Sequence, residues 1–226
     1  MIQRLKKGIN SLKPKYIITE LLLLIVGINV GLWFNNLNED RKDRDLEHKI
    51  LVELKASLES DKEDIVLNLL VHEQAAEACD KLLFKREQIH NKDLSNTILS
   101  TMGWTYLVAD LSTYESLKSI GFQLIEDDEI RRRMIKLYNV RYKAVTETEK
   151  NHKRKCDKVE EEIHGLIQFE EGAFVIQEAV LGEIDKFAFE INVLKSSNTQ
   201  MVELYKNEVL PEIDFLLTAI DKQISE

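Results

Sequence analysis

Between Tyr16 and Phe34 the chain reads YIITELLLLIVGINVGLWF, 19 residues of which only Thr19, Glu20 and Asn29 are clearly polar. As a helix rising 1.5 Å per residue this run reaches about 28 Å, close to the ~30 Å hydrocarbon layer of a bilayer. A cleaved signal peptide has a shorter apolar core and ends on small residues, whereas this run ends in Leu32-Trp33-Phe34. A helix buried in a small soluble domain is seldom apolar on every face. Tyr16 and Trp33 mark the two ends, where aromatic rings favour the membrane–water interface. The pattern predicts an uncleaved transmembrane helix over 16–34.

Beyond it the pattern becomes amphipathic. The segment NNLNEDRKDRDLEHK has no Pro or Gly, so a helix can leave the membrane without a break. From about Glu39 to about His90, Leu51, Leu54, Leu58, Ile65, Leu69, His72, Ala76, Cys79 and Leu83 follow 3/4 spacing, with Asp61 as a polar interruption. Asn91-Lys92-Asp93 predicts a break, followed by a shorter stretch to Trp104. Ser112 and Glu115 have the spacing of a capping box, opening a helix that stops at Gly121. The acids Glu126–Glu129 suit the start of a further long helix, with Arg131–Arg133 following. Its stripe runs Tyr138, Tyr142, Val145, Glu149, His152, Cys156, Val159, Ile163, Leu166. Gly165, Gly172 and Gly182 punctuate a less regular region. A last helix is expected from about Asn198, with a kink or break near Leu210 imposed by Pro211. The fold class is all-α: a transmembrane helix continuing into a long helical stalk and an antiparallel helical bundle. The domains are a basic tail at 1–15, the span at 16–34 and a helical domain at 35–226.

Composition agrees with helix: 2 Pro and 8 Gly in 226 residues, with 31% charged. Charge adds direction. Up to Phe34 there are five basic residues (Arg4, Lys6, Lys7, Lys13, Lys15) and one acid, a net of +4, so a chain of −9 leaves −13 beyond. An acidic body repels phosphate backbones, which argues against nucleic acid as a partner. The basic tail suits anionic headgroups of the lipid bilayer. Lys13 and Lys15 abut the span, whereas the first basic residue on the far side is Arg41. The positive-inside rule then places the N-terminus in the cytoplasm and the C-terminal domain outside a cytoplasmic (inner) membrane, crossed once.

Within the span, Gly27 and Gly31 form a G-x-x-x-G pair on one helix face, which lets another backbone approach closely. Asn29 lies between them, and its amide needs a partner at that depth. A second copy of the span is the simplest supplier, so a homo-oligomer or another membrane protein is the expected partner. Glu20 has two readings: an intramembrane acid on an ion path, or an interfacial carboxylate near the first helical turn, within reach of the headgroups.

Chemistry in the body is sparse. His152, Cys156, Glu160 and His164 are spaced by four, but successive i+4 steps drift around a helix and cannot converge on one ion. No C-x-x-C, H-E-x-x-H, G-x-S-x-G or phosphate-binding Gly loop is present, so no cofactor and no enzymatic activity are expected. Ser116 and Lys118, two apart, face different sides of their helix. Cys79 and Cys156, on two stripes, could form a disulfide if their helices are neighbours outside the cytoplasm, with a packed thiol as the ordinary alternative.

GINVGLWFNNLNEDR after an acid-led span, with STYESLKSIG further on, resembles an uncharacterised bacterial family of single-span membrane proteins. In that family an acid opens the span, a glycine sits mid-span and Asn-Asn-Trp-Asn-Glu follows. Glu20, Gly27, Asn35, Asn36, Asn38 and Glu39 match this pattern, while Leu37 replaces the Trp and Asn29 stands where an apolar residue is commoner. Thr113–Leu117 and Gly121 match the second motif. The resemblance implies the same topology and no activity. The expected function is a non-enzymatic, membrane-anchored interaction or scaffold protein; the alternative is a single-span subunit of an ion-driven or transport complex using Glu20.

Overall fold

The computed structural model describes residues 14–163, 167–170, 173–176 and 184–225. The basic tail as far as Lys13, and Gly165, Leu166, Gly172 and Gly182, lie outside them. Helix α1 runs Pro14–Phe84, 71 residues without a break. Proline suits the first helical position, where its missing N–H costs nothing. Across the expected linker Asn35 Nδ2 donates to Glu39 Oε1 at 2.9 Å, a bridge one helical turn long. The chain divides into two compact units, 1–49 and 50–226.

In the first unit the large apolar side chains face outward: Leu23 is 67% exposed and Leu24 62%. None of the most apolar 18-residue window of α1 is buried. Among the described residues this is the one helix long and apolar enough to cross a membrane.

In the second unit the rest of α1 is followed by α2 (Asn91–Thr101), α3 (Ser112–Ile120), α4 (Asp128–Lys136) and α5 (Tyr142–Ile163). Then come strands β1 (Ile167–Glu170) and β2 (Ala173–Ile176), and helices α6 (Ala188–Leu204) and α7 (Leu210–Ser225). The strands pair antiparallel with Ile167 opposite Ile176 and Glu170 opposite Ala173. The fold is helical as expected, with this one hairpin added; four-residue strands are too short to stand out from a helical background.

Two apolar clusters form the core. The first gathers Leu51, Leu54, Leu58 and Ile65 of α1 with Leu117, Met134, Val145, Met201, Ile213 and Leu216. The second joins Cys79 and Leu82 of α1 to Leu94, Ile98, Cys156, Val159, Ile191 and Leu194. Each fully buried Leu or Ile contributes about 1.5–3 kcal/mol relative to exposure.

Local signals decide the ends. The stop after Phe84 comes before the expected His90, and Arg86 Nε seals the Leu82 carbonyl at 2.6 Å. Gly121 ends α3 at φ 122°, a conformation that strains any residue with a Cβ. Asp127 caps α4, accepting from the backbone N–H groups of Glu129 at 2.7 Å and Ile130 at 2.9 Å.

Two expectations are corrected. The Ser112–Glu115 capping box does not form: Asp110 Oδ1 accepts from Ser112 N at 2.9 Å and Ser112 Oγ at 2.6 Å, and Glu115 pairs with Lys118 instead. Asp110 thus meets the first-turn N–H of Ser112, and the Glu115 N–H that the serine was expected to cap donates to the Leu111 carbonyl at 2.9 Å. The last helical stretch begins at Ala188, ten residues before Asn198; its α-helix is interrupted just ahead of Leu210, where the kink or break was expected. A π-helical turn at Tyr205–Val209 precedes the proline and widens the ladder there. A similar turn at Leu137–Arg141 joins α4 to α5.

Candidate functional site

Between the two apolar clusters the same helices carry polar residues. On α1, Ser57, Asp61, Asn68 and His72 are buried; on α5, Glu149 and His152; on α6, Ser197 and Asn198. Burying such groups is costly unless each finds a partner. Here the partner is the stretch 103–111, which has no regular structure and whose backbone groups lack a ladder of their own.

The helices supply that ladder from side chains. His152 Nε2 lies 2.9 Å from the Gly103 carbonyl and His72 Nε2 3.1 Å from Thr105 Oγ1. Asn68 Nδ2 donates to the Tyr106 carbonyl at 3.3 Å. Leu107 N donates to Glu149 Oε1 at 2.7 Å, Val108 N to Asp64 Oδ2 at 3.0 Å and Asp110 N to Asp61 Oδ1 at 2.8 Å. Ser57 Oγ donates to Asp110 Oδ2 at 2.8 Å. Along α1 the partners descend 72, 68, 64, 61, 57 as the strap ascends 105, 106, 108, 110, so the two run antiparallel. Spacings of three and four place these side chains on one helix face.

The hydrogen bonds fix both imidazole tautomers. The Gly103 carbonyl can only accept, so His152 carries its proton on Nε2. Its Nδ1 then accepts from Ser197 Oγ at 3.0 Å. Asn198 donates Nδ2 to the Leu194 carbonyl at 3.0 Å, which leaves its Oδ1 to accept from His72 Nδ1 at 2.8 Å. His72 therefore carries its proton on Nδ1, and Thr105 donates to its Nε2. The rings meet edge to face with centroids 5.1 Å apart. Burial lowers the pKa of both, that of His152 to about 4. Both rings are neutral at pH 7.

Burial also raises Asp61 to about 6, against the lowering effect of the Tyr142 hydroxyl, which donates to Oδ2 at 2.6 Å. Glu149 is raised for the same reason, opposed by Tyr205, whose hydroxyl donates to Oε1 at 2.6 Å. Cys156 Sγ lies 3.4 Å from His152 Nε2, which has the outline of a thiol–base pair. The pair is inert: the Nε2 proton serves Gly103, and burial pushes the thiol up to about 12. A general base must reach a substrate proton, and here both nitrogens of both rings are already engaged. The belt holds a strap in place.

The residues singled out from the sequence fall in different places. Gly27 and Gly31 are open: a Cβ on either would meet nothing within 4 Å. Asn29 Nδ2 donates to its own helix at the Ile25 carbonyl, 2.7 Å away. That bond uses one N–H and leaves the amide oxygen and the second N–H. Glu20 is exposed and, with α1 starting at Pro14, lies in the second helical turn rather than the first. Cys79 and Cys156 are free, buried thiols in the same apolar cluster, Cys79 also raised to about 12 by burial. His164 lies outside the described residues. Among those described, no group of three or more His, Cys, Asp or Glu could hold a metal ion.

What the sequence reading missed is the strap. Its signal was present: polar residues recurring on otherwise apolar stripes, beside WTYLVADL, a stretch without helical periodicity. Comparison of the chain with protein-family models, with characterised proteins and with solved structures gave no match.

Proposed function

We propose that the protein is a non-enzymatic interaction or scaffold protein, anchored in the cytoplasmic membrane by one span over 16–34. Its N-terminus lies in the cytoplasm and its helical bundle outside. The span associates with a second copy or with another membrane protein. The observation that carries this reading is the apolar window of α1, none of which is buried by the rest of the chain. Aliphatic surface of that extent is stable in lipid or against another apolar helix. The open glycine face supports close helix approach, and the free half of the Asn29 amide supports a polar contact across it.

Replacing Gly27 and Gly31 together by Leu blocks that face. The expected outcome is a smaller crosslinked species in detergent, with membrane insertion retained. An unchanged oligomer removes the glycine face from the account.

One observation favours a second reading, a subunit of an ion-driven or transport complex. Glu20 lies beyond the first turn of α1, so the helix end does not explain it. On this reading Glu20→Gln abolishes ion-dependent activity of the complex without altering insertion, and wild-type activity dismisses it.

A further inference from the structure

Helix α5 carries a run of cations in an acidic chain, and they divide into two kinds. Lys150 pairs with Glu147 at 2.9 Å, and Lys153 pairs with Asp157. On facing elements Lys195 pairs with Asp80 and Lys206 with Glu73, both at 2.6 Å. Arg154 and Lys155 differ. Arg154 donates to Asn151 Oδ1, and Lys155 Nζ donates to Ser197 Oγ at 3.0 Å. Among the described residues neither has a carboxylate partner. Both are oriented by neutral oxygens, which fix position without cancelling charge.

The arrangement behind Lys155 is itself built. Ser197 is 2% exposed and donates its proton to His152 Nδ1, whose opposite nitrogen is committed to Gly103. The Ser197 oxygen is thereby left to accept from the ammonium. These residues border a cleft of about 450 Å³ between α5 and α6, lined by Thr148, Asn151, Arg154, Lys155 and Lys158 with Ser197 and Gln200. Asn151, Arg154, Lys155 and Lys158 follow i, i+3, i+4, i+7, one face of α5. No carboxylate lines the cleft. Of its cations Lys158 meets an acid, Glu162 at 4.0 Å. A chain of net charge −9 has carboxylates to spare, yet none is placed here.

We propose that this cleft is a binding site for a phosphate-bearing anion. Arg154 supplies planar donors and Lys155 a point charge, the two modes by which proteins hold phosphate oxygens. Thr148, Asn151 and Gln200 add neutral hydrogen bonds, and the volume admits a phosphate ester as well as inorganic phosphate. The ligand is a soluble phosphorylated compound or a phospholipid headgroup, which share this chemistry. The site does not depend on how the chain meets the membrane.

The test is calorimetric titration of the full chain in neutral-detergent micelles at low ionic strength, with pyrophosphate and with dihexanoyl phosphatidate as probes. Saturable binding of at least one probe is expected. Arg154→Gln with Lys155→Gln weakens it at least tenfold, and Arg154→Gln alone, at an exposed position, threefold or more. Lys150→Gln with Lys153→Gln removes the same charge from the same helix and leaves affinity within twofold. Tighter binding of pyrophosphate assigns a soluble ligand, and tighter binding of phosphatidate a headgroup. No binding of either probe, an unaffected Arg154→Gln variant, or an equal loss in the Lys150/Lys153 variant overturns the proposal.

Discussion

Asn29 and Asn198 occupy matching local settings and opposite surroundings. Asn29 interrupts an apolar helical run and Asn198 a buried apolar stripe, and each donates Nδ2 to the carbonyl four residues back, Ile25 at 2.7 Å and Leu194 at 3.0 Å. Asn198 is fully buried, and its Oδ1 accepts from His72 at 2.8 Å. Asn29 is exposed, and among the described residues its oxygen has no partner. The contrast extends to the regions around them. In the second unit Ser57, Asp61, Asn68, His72, Glu149 and His152 interrupt apolar stripes and are met from within the chain, where they hold the strap 103–111. In 18–34 the apolar faces are exposed and the Asn29 oxygen has no partner among the described residues, so their role depends on what surrounds the chain.

The largest effect comes from breaking the internal side of this contrast. Glu149→Leu leaves Leu107 N and the Tyr205 hydroxyl buried without their acceptor, each costing about 1–3 kcal/mol. The melting temperature of the full chain, followed by circular dichroism in detergent, is expected to fall by roughly 10 °C. A neutral substitution would mean that the belt does not bear on stability.

Next in size is a pH effect. His152 titrates near 4 in the fold, below its ordinary value of 6.5, because burial disfavours the imidazolium. The folded state thus binds fewer protons, and this contribution is present above pH 6.5 and lost as the pH falls to 4. Asp61, raised to about 6, acts in the opposite sense, gaining as the pH falls toward 3.8. His152→Gln isolates the histidine: the variant gains on the wild type by up to about 3 kcal/mol between pH 6.5 and 4. Parallel stability curves would contradict a neutral, buried His152.

The smallest effect lies on the external side. Asn29→Leu removes one interhelical hydrogen bond, worth ~0.6 kcal/mol in bilayers, and weakens self-association by about threefold. Förster transfer between labelled copies in vesicles measures it. A larger loss would make Asn29, rather than the glycine face, the main contact.

The stripes were legible because burial imposes a 3.6-residue period: Leu51, Leu54, Leu58 and Ile65, and Tyr138 through Ile163, lie where that period puts them. Asp61, Glu149 and His152 were visible as exceptions, but their partner was not. An irregular strap has no period, and side chain-to-backbone bonds across 38 to 49 residues leave no mark on local sequence. The failed Ser112 capping box has the same origin, since Asp110 and Ser112 are both good capping residues and only backbone geometry decides which N–H each meets. The open cleft beside Arg154 and Lys155 was hidden for a related reason. Which cations lack a carboxylate is decided by neighbours in space.

The central claim is that the proposed span, residues 16–34, is covered by lipid. Extraction of cell membranes with alkaline carbonate tests it directly, since this treatment releases peripheral proteins and leaves spanning ones. The account predicts that the full chain stays in the membrane pellet, as it does after a high-salt wash. Release into the supernatant would contradict it.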